Sequence, residues 1–224
     1  MKTKHFVSLL VLVGSLVATP APAFAQKIYW TDVGTGKIQR ANLDGTNVEN
    51  LVNAAPEPLG DIALHEGQGK MYWAADNYYI RRANLDGTDI ETVITDFVIA
   101  IAIDKLNGRI YWSHGIDWEH GISRADLMGQ NYQEIVSTGS YSANGIALDV
   151  SSQKLYWVTD HLLWRANLEG SQVEVLIPDA AEFACGVALD LAHQRVYWSD
   201  CGVGGSLRRA NLDGTGVGGC PDCS

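Results

Sequence analysis

Basic charge, sulfur and long apolar runs are all scarce in this chain. Sixteen Lys and Arg stand against 26 Asp and Glu in 224 residues, a formal charge of −10. A surface of that sign disfavours nucleic acid and anionic membrane. It leaves basic proteins or cations as partners, and acidity also serves plain solubility. Neither a Gly-x-Ser-x-Gly elbow nor a Gly-Lys-Ser/Thr phosphate loop occurs, so two common catalytic frameworks are missing. No Asn-x-Ser/Thr acceptor occurs either, which favours a bacterial over a glycosylated eukaryotic source. Cysteine is confined to the last 40 residues, as Cys185, Cys201, Cys220 and Cys223. That placement fits an exported, oxidising setting.

The long apolar run is at the start. Lys2 and Lys4 precede Phe6 to Val17, and Ala23-Phe24-Ala25 supplies a small-x-small cleavage signature. Residues 1–25 therefore read as a signal peptide, and the chain as secreted or periplasmic. The run is too short for a membrane anchor, and no later stretch approaches 18 apolar residues. With no Cys at the cleavage point, a lipid anchor has no support. A mature chain from Gln26 holds 199 residues with a formal charge of −12, enough for one sizeable domain.

What the chain has in abundance is one dipeptide. Tyr29-Trp30, Tyr72-Trp73, Tyr111-Trp112, Tyr156-Trp157 and Tyr197-Trp198 lie 43, 39, 45 and 41 residues apart, each behind a basic and an aliphatic residue. A Leu-x-Gly turn follows each pair, and short apolar strands of the type Ile-Ala-Leu-Asp separate the repeats. A period near 40 with β content reads as one propeller blade per repeat. Neighbouring side chains in a strand point to opposite faces, so Tyr and Trp cover both sides of one sheet, and each blade must be wedged between others. Their hydroxyl and indole nitrogen then need polar partners. In the second complete set, strand A is Ile99 to Asp104, B is Arg109 to Trp112, C is Ile122 to Asp126 and D is Gln133 to Val136. Asn107-Gly108 turns A into B, while Asp44-Gly45, Asp86-Gly87 and Asp213-Gly214 turn C into D. These acids lack the spaced oxygens of a calcium loop.

On these words the chain resembles the YWTD, or low-density lipoprotein receptor class B, repeat. They are Tyr29-Trp30-Thr31-Asp32, Tyr197-Trp198-Ser199-Asp200, Arg40-Ala41-Asn42-Leu43-Asp44-Gly45, Arg82-Ala83-Asn84-Leu85-Asp86-Gly87 and Gly145-Ile146-Ala147-Leu148-Asp149. WD40 repeats are similar in length but place Trp-Asp at a strand end behind a Gly-His. The resemblance implies a propeller, usually six-bladed, that binds proteins or serves structure without catalysis. The expected fold is all-β: a β-propeller of four-stranded antiparallel blades in about five repeats, spanning 26–214, with a Gly- and Cys-containing tail at 215–224. Strands B and C occur five times but A and D only four, so the ring is incomplete or open. A truncated six-bladed member, a strained five-bladed ring and completion by another copy all satisfy that count. The unclosed edge makes self-association a further expectation.

A second repeated position is Arg40, Arg82, Arg124, Arg165 and Arg209 on strand C. A guanidinium inside packed strands requires a fixed acceptor. The expected one is an acid near a B-strand end, from Asp32, Asp76, Asp117, Asp160 and Asp200; the alternative is an exposed edge arginine. Cys185, before the last A strand, and Cys201, after its B strand, come within bridging distance through a small bulge if Asp190 opposes Arg195. Cys220 and Cys223 form a terminal Cys-x-x-Cys, read as a tail disulfide or remnant rather than a redox or metal pair.

Strand direction sorts the connections into two rims. A–B and C–D turns are short and repetitive; B–C and D–A loops vary, and a rigid scaffold carries binding on such loops. The expected ligand-binding residues are Tyr78 and Tyr79, then His114, Asp117, Trp118, Glu119 and His120, then His161. Exposed aromatics beside acids suit a protein or peptide with an apolar anchor and a basic residue; Trp118 packing back on its own blade is the alternative. No cofactor, catalytic residue or metal site is expected. The enzymatic alternative is a metal-dependent lactonase-like hydrolase, but the A-strand starts offer Gly60, Asp61, Ala100, Gly145 and Gly186, with only Asp61 and neighbouring Asn144 polar.

Overall fold

The computed structural model describes residues 7–10, 27–116, 119–203 and 205–219, the first of these segments for its backbone alone. Asp117, Trp118, Cys220, Cys223 and the cleavage signature at 23–25 lie outside the described residues. The described strands form five four-stranded antiparallel meanders, and the architecture is an all-β propeller of five blades. Residues 1–98 make one compact unit with two blades, and residues 99–224 a second with three.

Blade 1 runs β1 (Val7–Leu10), β2 (Lys27–Asp32), β3 (Lys37–Asn42) and β4 (Glu49–Asn53). Blade 2 runs β5 (Leu59–His65), β6 (Lys70–Ala75), β7 (Tyr79–Asn84) and β8 (Glu91–Thr95). The second unit holds blade 3, with β9 (Ala100–Asp104), β10 (Arg109–Ile116), β11 (Glu119–Asp126) and β12 (Gln133–Gly139). It continues with blade 4, β13 (Gly145–Asp149), β14 (Lys154–Val158), β15 (Leu163–Asn167) and β16 (Glu174–Ile177), and blade 5, β17 (Ala184–Asp190), β18 (Arg195–Asp200), β19 (Ser206–Asn211) and β20 (Gly218–Gly219). Two strands exceed the sequence count. The last D strand is the two-residue β20, and the first A position is taken by β1, whose Leu10 opposes Tyr29 and Val7 opposes Asp32. That backbone belongs to the expected leader, so cleavage after Ala25 would remove it.

The Tyr-Trp pairs are divided between two interfaces. In the first unit Tyr29, Ile38 and Val52 of blade 1 share a core with Met71, Trp73 and Leu85 of blade 2. In the second, Tyr111, Ile122 and Val136 of blade 3 meet Leu155, Trp157 and Leu168 of blade 4, and Tyr156, Leu163 and Ile177 of blade 4 meet Val196, Trp198 and Leu212 of blade 5. At these three joints Tyr29, Tyr111 and Tyr156 thus face the following blade, and Trp73, Trp157 and Trp198 the preceding one. We call these the trailing and leading faces. Burying an aromatic or Leu at such a joint stabilises it by about 1.5–3 kcal/mol.

The polar partners expected for these rings are supplied only in part. Trp30 donates to Gln39 and Trp198 to the Ala180 carbonyl. The hydroxyls of Tyr29, Tyr72 and Tyr111 and the indole nitrogens of Trp73 and Trp157 are buried without a hydrogen-bond partner among the described residues. Burial raises the Tyr29 pKa, and the nearby Arg40 opposes this without an aligned hydrogen bond.

The arginines span the joints, but by a different acceptor from the one expected. Arg40 Nη1 donates to the Leu85 carbonyl at 3.1 Å, Arg124 to Leu168 at 3.1 Å and Arg165 to Leu212 at 2.8 Å, each on the C–D turn of the next blade. Their Nε or Nη2 atoms bind the outer strand of their own blade, at Glu49, Gln133 and Glu174, and Arg82 binds Glu91 in the same way. The B-strand acids serve locally: Asp32 caps Gly34 and Thr35, Asp160 accepts from Asn144, and Asp200 accepts three backbone N–H groups. A backbone carbonyl wins because the next blade brings its turn, not its B-strand end, against the C strand. The same turn places Gly214, at φ +86°, where an added Cβ would lie 2.8 Å from the Leu176 carbonyl of the preceding blade. Gly87 and Gly170 press in the same way on Leu51 and Ile135.

Cys185 and Cys201 form a disulfide with their Cα atoms 6.0 Å apart. Asp190 opposes Arg195, and the ladder slips between Ala184 and Gly186, so the bulge falls on Cys185 as the spacing requires.

Candidate ligand-binding rim

In the first unit the variable rim is aromatic. Blade 2 turns from β6 to β7 through Asp76 and Asn77, both in the left-handed region at φ 55° and 53°, which pushes Tyr78 outward. Tyr78 is 45% exposed; its ring meets Tyr79 at 6.1 Å and Phe97 at 6.5 Å, both edge-on. The loop is pinned by the Asp96 and Val98 amides, which donate to the Tyr78 and Asn77 carbonyls. Below the rings Arg81 lies 5.9 Å from the Tyr79 centroid and bonds Glu57 at 2.8 Å. The structure therefore brings Tyr78 and Tyr79 together and adds Phe97, Arg81 and Glu57. Phe97 was readable in principle, because it stands in a D–A loop of the same rim.

In the second unit the rim is a mixture of histidines, acids and one exposed phenylalanine. The β10–β11 hairpin has the longest B and C strands of the described blades, eight residues each, because they pair up to Ile116–Glu119. His114 opposes Gly121 and His120 opposes Gly115, so the imidazoles leave opposite faces of the ribbon, each over a glycine. An added Cβ on Gly121 would stand 3.0 Å from His114 Cε1 and 2.8 Å from the Val136 carbonyl, leaving no room for a side chain.

His114 Nε2 lies 2.9 Å from Ser123 Oγ, itself 3.0 Å from the Tyr132 hydroxyl, so it is held inside the hairpin. His120 Nδ1 lies 3.0 Å from Ser142 Oγ in the D–A loop. Glu119 is exposed at the hairpin tip. His161 is exposed on the next B–C turn, where its carbonyl accepts from Ala180. Alongside stand Asp160, Glu182 and Phe183, the last 44% exposed. Hydrogen bonds from the Glu182, Gly202 and Phe183 amides hold the Asp200 carboxyl below its ordinary pKa. The disulfide ties Phe183's loop to this corner, with the Cys201 amide donating to the Phe183 carbonyl. Among the described residues no group of three or more His, Cys, Asp or Glu gathers to hold a metal.

The opposite rim is repetitive. At the C–D turns Asp44, Asp86 and Asp213 each accept from the amide and hydroxyl of the Thr two residues on, at 2.6–3.0 Å. These Asp carboxylates and Thr hydroxyls are thus engaged within their own turns.

Residues 26–65, the whole of β2 to β5, match the sequence profile of low-density lipoprotein receptor repeat class B. Over those residues the five-bladed β-propeller carries the YWTD repeat. It is 33% identical over 136 residues to the human low-density lipoprotein receptor-related protein 5-like protein, across 58% of this chain and 53% of that one. It is 31% identical over 146 residues to the Drosophila melanogaster vitellogenin receptor Yl, across 58% of this chain and 7% of that one. The propeller thus spans about half the length of the first relative and a small part of the second. These two relatives are animal proteins and lend no support to a bacterial source. Among solved structures it superposes on a chain of a nidogen/laminin complex with a TM-score of 0.75 at 22% identity, covering 86% of this chain and 74% of that one. The putative TolB of Agrobacterium tumefaciens gives 0.73 at 13% identity, covering 87% and 76%. At those identities the superpositions speak for the fold alone. No helix among the described residues of the YWTD propeller is long and apolar enough to cross a membrane.

Proposed function

We propose that the YWTD propeller is an exported, non-enzymatic module that holds a protein or peptide ligand on its variable rim. One observation carries this reading: the two rims differ. The C–D turns close on themselves through Asp–Thr hydrogen bonds, whereas the B–C and D–A loops leave Tyr78 and Phe183 exposed on anchored backbone. Pinned aromatic rings give contact area at little entropic cost, which is how interface anchors work. Acids at Glu119, Asp160 and Glu182 add attraction for a basic residue near the ligand's apolar anchor. The names of the relatives, a low-density lipoprotein receptor-related protein 5-like protein and a vitellogenin receptor, favour binding over catalysis.

A random peptide library displayed on phage and panned against the purified chain tests the proposal. Enriched sequences should combine an aliphatic or aromatic residue with Lys or Arg. Their binding should fall at least about tenfold in Tyr78→Ala or Phe183→Ala, a loss of about 1.4 kcal/mol, and persist in Thr46→Ala on the opposite rim. No enrichment, or binding lost only in Thr46→Ala, refutes it.

A further inference from the structure

Blades 2 and 5 carry the same pair of rim charges and use it differently. On each leading face the buried B-strand tryptophan has an arginine opposite it, Trp73 with Arg81 and Trp198 with Arg208. The D–A loop of each brings a glutamate, Glu57 or Glu182, eight residues before the A strand ends at His65 or Asp190. In blade 2 the two charges meet: Arg81 bonds Glu57 at 2.8 Å, with its guanidinium 5.9 Å from the Tyr79 centroid. In blade 5 they part. Arg208 turns inward to the Asp179 and Ala180 carbonyls, the second of which also accepts from the Trp198 indole. Glu182 is left exposed, and its carboxylate forms no ion pair among the described residues.

An exposed carboxylate is ordinarily only solvated, but three features set Glu182 apart from the other rim acids. Its backbone is fixed: the Glu182 and Phe183 amides donate to Asp200 at 3.0 and 3.1 Å, and the Cys201 amide to the Phe183 carbonyl at 2.8 Å, beside the disulfide. Glu119, by contrast, stands at a hairpin tip, and Asp160 accepts from Asn144 at 3.2 Å. Its carboxylate also lies over a glycine. A Cβ on Gly202 would stand 2.8 Å from Glu182 Oε2 and 3.1 Å from Asp200 Oδ1, so two carboxylates flank that residue, and the one on Asp200 is met by amides rather than by an ion pair. Finally, apolar surface adjoins it: Phe183, next in the chain, is 44% exposed, and Val203, next to Gly202, 96%.

We propose that Glu182 is the residue that sets the charge of the ligand: a lysine or arginine of the bound peptide pairs with it, as Arg81 pairs with Glu57, and lays its aliphatic stem on Phe183 and Val203. This rests on the reading of the variable rim as the ligand-binding surface. Long basic side chains cover apolar surface with their stems while the charged head stays in water, and an aromatic face adds attraction for the cation. Glu57 already holds a guanidinium and offers a ligand no charge, so of these two equivalent glutamates one closes its own blade and the other recognises.

Panning one random phage-displayed peptide library in parallel on the wild type, Glu57→Gln, Glu182→Gln and Glu182→Lys provides the test. The wild type and Glu57→Gln should enrich peptides that combine an apolar residue with Lys or Arg. Glu182→Gln should keep the apolar preference and lose the basic one, and Glu182→Lys should enrich Asp or Glu in its place. A peptide enriched on the wild type, once synthesised, should bind Glu182→Gln about five- to tenfold more weakly. The loss should lie mainly in slower association and shrink at high salt. A basic preference undiminished in both Glu182 variants, or lost in Glu57→Gln instead, overturns the proposal while peptide binding by the rim stands. No enrichment on the wild type overturns both. Because Glu182 is exposed, melting should be unchanged in its variants; if Glu182→Lys does not fold, Glu182→Gln alone decides.

Discussion

The strand-C arginine joins two blades through three contacts, and their values differ. Arg165 is mostly buried, while Glu174 is 52% exposed, so their ion pair is screened and worth about 0–1 kcal/mol. The bond to the Leu212 carbonyl crosses the joint beside a buried side chain, and its loss leaves a buried acceptor unsatisfied at a cost of about 1–3 kcal/mol. Arg165→Met should thus lower the melting temperature well beyond Glu174→Gln, by roughly 2–4 °C per kcal/mol for a chain of this size. Calorimetry on both variants checks this. Equal effects would mean that the carboxylate, not the carbonyl, is the partner that matters. From sequence the arginine's need for a partner was readable. The partner's identity was not, because a backbone carbonyl leaves no mark on residue type.

The C–D turn is where one element meets the next. Gly45 and Gly170 both have left-handed backbone, at φ +78° and +89°, so alanine costs each about 1 kcal/mol in conformation. Gly170 must also clear the Ile135 carbonyl of the preceding blade, whereas Gly45 has open space. Gly170→Ala should destabilise the chain distinctly more than Gly45→Ala in urea titrations of dilute protein, and the difference isolates the packing of blade on blade. Matching losses would remove close approach as a reason for the glycine. The repeat itself was legible at this scale, since Tyr-Trp spacing, turn dipeptides and strand alternation agree with one another. Strand β20 escaped because Gly218-Gly219 has no β signature, and β1 because an apolar leader reads the same whether or not it pairs. On the rim, Tyr78 was legible as a turn-borne aromatic with Tyr79 beside it at the start of β7, but His114's withdrawal onto Ser123 depends on the register of one hairpin.

For the whole molecule, the acidic surface sets the response to pH. Asp44, Asp86 and Asp213 sit below the ordinary carboxylate pKa because Thr46, Thr88 and Thr215 hydroxyls, then amides, bond their ionised forms. Glu49 is lowered by Arg40, and Glu169 by Ser171. Each group holds its proton more weakly folded than unfolded. Its contribution is therefore complete above the unfolded value, about 4, and disappears as pH falls through the folded value. Between pH 7 and the isoelectric region near 4.9, loss of negative charge relieves self-repulsion. The urea midpoint should accordingly hold steady or rise slightly from pH 7 to about 5, then drop below about 4. A triple variant, Asp44→Asn, Asp86→Asn and Asp213→Asn, keeps the turn geometry but cannot ionise. It should be less stable than the wild type at neutral pH, with the two curves converging in acid as the wild-type carboxyls take up protons. Curves that stay parallel to the lowest pH would place acid sensitivity elsewhere. The C–D rim would then be merely a repeated shape, not a set of charged latches on which three of the five sheets close their turns.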